Sequence, residues 1–325
     1  MQKVLIRYKA FVVALFLLSL TATVESRSEW IRVESGTLAW LRSVYFLNEN
    51  KGWAVGSAGT FLITADGGIT WKQIGKITND TLRDVYFSDE RRGWLLCERD
   101  RYSAGAMPVS YFLKTEDAGA TWERIDLDGA EDRLVRIFFS KSGTGFGLGE
   151  GGAVWELLSD GVTWQRKQLP TRYLILDGQF ISDSKRILVG GGGTVLVSDG
   201  SGGWVQSDRG PRTKERLNSV FFLNEDTGWI VGSNGCIYAT KDRGQNWYEQ
   251  TSGLKSTLFD VVFSDLQRGF AVGDGGRIIE TTDGGHSWQS KVSGVKGVLE
   301  RIAFAGRTGA AVGHGGLIMR HIPNQ

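Results

Sequence analysis

Cysteine, histidine and proline are scarce in this chain: two, three and four in 325 residues. Two cysteines cannot build the disulfide framework that holds small secreted domains together. Cys97 and Cys236 fall in different, non-adjacent repeats of the register described below, so two free, buried thiols are expected. His286, His314 and His321 have no helical pair spacing and no cysteine companion, which argues against a metal centre. Beyond the first twenty residues no stretch sustains a helical period, which leaves an all-β class.

Excess charge is missing too. The chain carries 38 basic and 36 acidic residues, and without residues 1–26 it has 35 of each. Nothing global points to nucleic acid or to an anionic membrane. Those first 26 residues read as a secretory signal peptide. Lys3, Arg7 and Lys9 precede an apolar run from Ala10 to Leu20, and Val24 and Ser26 are small enough for cleavage after Ser26. The run is short for a membrane span. Residues 27–325 are then the exported domain.

Glycine and tryptophan are abundant, 45 and 12, and both recur in register. "TADGGITW" at 64–71 returns as "TEDAGATW" at 115–122, "TKDRGQNW" at 240–247 and "TTDGGHSW" at 281–288, with weaker copies at 159–164 and 198–204. A second anchor is an apolar run ending at Phe46, Phe87, Phe139, Phe180, Phe222, Phe263 and Phe304, at intervals of 41, 52, 41, 42, 41 and 41. A "GWAVG"-like run follows each. Each unit therefore reads as four short strands, and seven units of about 40 residues read as a seven-bladed β-propeller. The spacing from a motif Trp to the next Phe is 16 residues in four units, and Trp30 to Phe46 is also 16. The N-terminal "EWIRVE" is thus an outermost strand without a blade of its own. The last unit lacks that strand, so the N-terminal strand should complete the C-terminal blade and close the ring.

Repetition makes "TADGGITW" architecture rather than a reactive site. Asp66, Asp117, Asp242 and Asp283 are expected to hold turns through their carboxylates. Trp71, Trp122, Trp247 and Trp288 are expected to pack between blades. "GLGEGG" at 147–152 and "GGGG" at 190–193 lie in turns of the repeat, not in the strand–helix context that a dinucleotide needs. Trp53, Trp94 and Trp229 share one slot and belong to the core, whereas Trp40 and Trp155 fall outside the Trp slots and are candidates for exposure.

The Ser/Thr-x-Asp-x-Gly-x-x-Trp spacing resembles the Asp box of sialidase-like propellers. Combined with "GWAVG" and "VxF" in each blade, it is similar to the photosystem II stability and assembly factor family over residues 29 to about 321. That resemblance implies an exported, non-catalytic, monomeric propeller of the periplasm, thylakoid lumen or extracellular space. It would bind protein, namely subunits of a membrane complex, without nucleic acid, metal or cofactor. The family's arginine-rich binding patch has its nearest counterpart here in Arg209, Arg212, Lys214 and Arg216. The Asp boxes and surplus tryptophan leave open a carbohydrate-binding or sialidase-type hydrolase. The sialidase Arg-Ile-Pro motif is absent from residues 27–60, however, and Arg42 and Arg83 are matched elsewhere by Val135, Leu176, Asn218, Phe259 and Glu300. No catalytic residue is therefore assigned.

The docking face is expected where the repeat is irregular. The 52-residue interval places its extra residues in 98–110, which includes Arg99, Arg101 and Tyr102. The connection carrying Arg209–Arg216 should open on the same face, with Arg42 and Arg83 near the starts of innermost strands.

Overall fold

The structure, a computed structural model, describes residues 30–99, 109–127, 131–291 and 293–323. The proposed leader, residues 1–26, lies outside the described residues, as do Arg101 and Tyr102. The described chain forms seven antiparallel sheets of four strands each. The first blade runs outward through Leu41–Phe46, Gly52–Gly56, Phe61–Thr64 and Lys72–Gln73. The innermost strands neighbour one another around a central channel.

The seventh blade is built from both ends of the chain. Leu299–Ala305, Thr308–Gly313 and Ile318–His321 supply three strands, and Trp30–Val33 pairs antiparallel with the last of them in the register Trp30↔His321 to Val33↔Ile318. The Trp30 indole packs edge-on against Phe270 of the sixth blade at 5.5 Å, so the closing strand is also anchored through its side chain.

Cross-strand size complementarity explains the repeated Phe and Gly. Phe46 lies opposite Gly52, and a Cβ added there would meet Phe46 Cδ1 at 2.5 Å: the ring covers the glycine. The same pairing occurs at Gly93, Gly145, Gly228, Gly269 and Gly309. In the fourth blade Arg186 faces Phe180 instead. Between blades, Trp53 stacks on Phe87 at 3.8 Å and Trp229 on Phe263 at 3.4 Å. Aromatic pairs of this size bury about 150–250 Å² per ring and dominate such cores.

The Asp boxes are self-contained turns. The Thr64 hydroxyl donates to Asp66 at 2.8 Å and accepts from the Gly68 N–H at 2.8 Å, while Asp66 accepts from the Thr70 N–H and hydroxyl at 2.9 and 2.6 Å. Asp117, Asp242 and Asp283 repeat the pattern. The two residues after each Asp have positive φ: Gly67 and Gly68 at 69° and 77° take it freely, but in the second and fifth blades the first of them is Ala118 at 64° and Arg243 at 65°. Each box Trp packs against the preceding blade: Trp71 beside Ala310, Val312 and Ile318, and Trp122 edge-on to Phe61 at 5.8 Å. Trp247 and Trp288 occupy the equivalent inter-blade cores.

Two expectations need correcting. Cys97 and Cys236 are free thiols, but only Cys97 is buried; Cys236 is half-buried. Trp155 is a core residue at 3% exposure, with its indole N–H donating to Asp132 at 3.1 Å. Its cross-strand neighbour is Gly147, which leaves the room the indole fills.

Candidate functional site

Each innermost strand carries a bulge after its first leucine or isoleucine, as the register shift between Leu41 and Ser43 illustrates. A bulge inserts one residue and re-aims side chains. The bulged positions are Arg42, Arg83, Val135, Leu176, Asn218, Phe259 and Glu300, and all seven line a cavity of about 460 Å³ at one mouth of the channel. Trp40, Arg133, Leu174, Arg216 and Val298, each just before its strand, form the outer rim.

The mouth is divided by chemistry. Arginines gather over the first three blades, while Val135, Leu174 and Leu176 form one apolar wall and Phe259 and Val298 another. Most of the arginines are already neutralised. Arg42 pairs with Glu300 at 3.1 Å and stacks 3.6 Å from the centre of the Trp40 ring. Arg83 and Arg133 share Glu98, the latter at 2.7 Å. Burial, then the neighbouring Arg42 and Arg133 charges, hold the Arg83 guanidinium below its ordinary value against the pull of Glu98. Arg216 differs: it is exposed, and it makes no ion pair among the described residues.

Below the mouth a polar belt crosses the channel. Ser43 donates to Asp84 at 2.6 Å, Arg136 bridges Asp177 at 2.8 Å and Asp84 at 3.7 Å, and Asp177 and Asp260 share the one Ser219 hydroxyl proton, at 2.9 and 2.6 Å from its oxygen. Arg301 reaches Asp260 at 3.6 Å. The carboxylates also accept backbone N–H groups from the next blade, as Asp84 does from Ile137 at 2.9 Å and Asp260 from Ile302 at 3.0 Å. Burial opposes the Arg136 charge, but Asp177, Asp84 and Asp260 outweigh it and push its pKa above the ordinary guanidinium value. A second cavity of about 270 Å³, with Tyr45 and Phe221 in its wall, lies on the other side of the belt.

The sequence-predicted residues separate into three groups. Arg42, Arg83 and Arg216 meet at the mouth. Arg209, Arg212 and Lys214 are exposed along the connection that leads to Arg216, and none of them makes an ion pair among the described residues. Arg99, half-buried, continues the second strand of the second blade, and Arg101 and Tyr102 lie outside the described residues. Sequence reasoning missed Arg133 and Asp274 in the mouth, and took Trp40 only as a candidate for exposure, whereas it is half-buried there. Arg133 and Arg216 both stand immediately before the first leucine of their strands, and that shared offset was the available signal.

Fold and mouth together define a closed seven-bladed Asp-box propeller with a basic and apolar cup over a polar belt. The chain belongs to the photosynthesis system II assembly factor YCF48 family, whose model matches residues 22–134, 156–255 and 245–324. Among solved structures it is similar to one described as YCF48 bound to D1 peptide, with 21% identity, a TM-score of 0.75 and coverage of 92% of this chain and 96% of that one. YCF48 from Cyanidioschyzon merolae gives 21% identity and a TM-score of 0.73, covering 90% and 98%. Virginiamycin B lyase from Staphylococcus aureus gives 11% and 0.74, covering 91% and 99%. Identities this low show the shared fold alone. No curated protein matches the chain.

Proposed function

We propose that this protein is an exported, non-catalytic assembly factor that docks a polypeptide segment of a membrane complex on its channel-mouth face. The observation that carries the reading is the run Arg209, Arg212, Lys214 and Arg216: four exposed cations on one connection, without an acidic partner among the described residues, ending at the rim of the cup. Exposed, unpaired charge of this kind steers a complementary partner. Family membership supports the assembly role, and a D1 peptide bound to a structurally similar YCF48 supports a protein partner. The Asp-box carboxylates are taken up by their own turns, so they favour no carbohydrate site. The test is capture from detergent-solubilised membranes of the source organism at near-physiological salt. Recovery of a defined membrane-complex subunit is the expected result, and recovery of no partner would overturn the reading.

A further inference from the structure

The cup contains polar atoms that the protein leaves unsatisfied. Asn218 is 5% exposed, and its amide N–H donates to the Leu258 carbonyl at 2.7 Å, yet its buried Oδ1 accepts from no described residue. The buried indole N–H of Trp40 and the buried Nε–H of Arg42 likewise find no acceptor among the described residues. Buried polar atoms are nearly always hydrogen-bonded; the indole N–H groups of Trp53, Trp71, Trp164 and Trp229 are also open but lie within the blade cores, whereas these three atoms belong to residues that line one cavity. Beside them stands Arg216, the rim arginine without an acidic partner. Leu176 on the neighbouring fourth blade and Phe259 on the sixth flank Asn218 with apolar surface.

We infer that the cup reads a short segment of the partner polypeptide in which an acidic side chain stands next to a large apolar one. The carboxylate pairs with Arg216, a main-chain N–H donates to Asn218 Oδ1, a main-chain carbonyl accepts from the Trp40 indole, and the apolar side chain lies against Leu176 or Phe259. This inference rests on the reading that the mouth face docks a polypeptide. Each feature selects against another ligand. A neutral sugar leaves Arg216 unpaired. A fatty acid satisfies Arg216 and the apolar walls but brings no donor for Asn218. A peptide supplies donor, acceptor, charge and apolar surface together.

The test uses a capped Gly-Ser-Glu-Phe-Ser-Gly peptide as probe, with a Glu-to-Gln version, a Phe-to-Gly version and octanoate as comparators. Binding is followed by the indole N–H NMR signals of the full mature chain, the Trp40 signal being identified with Trp40→Phe. The Glu-Phe peptide should shift that signal saturably, and the other three ligands should bind at least tenfold more weakly. Arg216→Ala, a change at an exposed side chain, should weaken the Glu-Phe peptide at least tenfold and leave the Gln version unaffected. Equal binding of all ligands, no shift of the Trp40 signal, or indifference to Arg216→Ala would each overturn the inference. Capture of a membrane subunit that persists undiminished in Leu176→Asp protein would overturn it while the docking reading stands; no capture by the unmutated protein would overturn both.

Discussion

At the scale of single residues, the repeat is a set of local bargains between size, charge and backbone angle. The Asp boxes tie stability to pH. Asp117 is held at a pKa of about 2 by the Thr121 hydroxyl, then the Thr121 N–H and the Thr115 hydroxyl; Asp283 is held at about 2 by the corresponding groups of Ser287 and Thr281. An unfolded Asp titrates near ~3.9, so the folded value is depressed. The stabilisation is therefore complete above about pH 4 and is lost as pH falls toward 2. The melting temperature should stay level from pH 7 to about 5 and drop between about 4 and 2, and Asp117→Asn should make that drop shallower. Calorimetry across this range checks it, and a drop already complete by pH 5 would assign it to other groups. Gly178 offers a second test. It stands where the other innermost strands carry Val44, Val85, Ile137, Val220, Val261 and Ile302. A Cβ there would meet Leu188 Cδ2 at 2.5 Å and Phe138 Cε1 at 2.9 Å, because Phe138 leans into the gap. Gly178→Val, a return to the repeat's own consensus, should destabilise by about 1–3 kcal/mol through overpacking. Denaturant titration at constant slope would measure this, and a stabilised variant would mean that Phe138 moves aside freely.

At the scale of strands, the closing element is Trp30–Val33. Without it, Ile318–His321 becomes an open edge, and such edges template aggregation. Deleting residues 27–36 should lower the melting temperature and promote aggregation at micromolar concentration, readable by light scattering during the melt. A deletion that melts like the chain of residues 27–325 would mean that the strand contributes nothing to closure. This closure was legible because Trp30 to Phe46 repeats the 16-residue spacing found between blades. Blade number was legible for the same reason: strands that pair locally leave a fixed period. The belt was not. Ser43, Asp84, Arg136, Asp177, Ser219, Asp260 and Arg301 share one slot of the repeat but change type from blade to blade, and each finds its partner in another blade. The bulge that presents both Arg42 and Ser43 inward is a single inserted residue with no glycine or proline to mark it. The slot of Arg42 and Arg83 could be aligned from sequence, but their neutralisation by Glu300 and Glu98 could not, since neither acid is adjacent to them in the chain. Trp155 was misplaced because its compensation, Gly147, sits on the neighbouring strand.

At the scale of the whole molecule, the ring gives the two ends of its channel different characters. The Asp-box face is built from short, nearly uniform turns whose polar atoms bond to one another, and it has little left with which to recognise a partner. The opposite face carries the connection with Arg209, Arg212 and Lys214, the apolar walls and the unpaired cations. Charges exposed at a rim act mainly on the encounter with a partner, and buried contacts act mainly on the lifetime of the complex. The two parts of the proposed dock should therefore separate kinetically. Replacing Arg209, Arg212 and Lys214 together with alanine should slow association with the captured membrane subunit by about tenfold at low salt, flatten its dependence on ionic strength, and leave dissociation and the melting temperature nearly unchanged. Leu176→Asp should instead hasten dissociation, because it places an unpaired carboxylate in the apolar wall beside Asn218. Surface plasmon resonance over a series of salt concentrations resolves the two effects. If the triple alanine variant associates at the full rate, while substitutions in the Asp–Gly turns abolish binding without unfolding the chain, the partner docks on the other face of the ring.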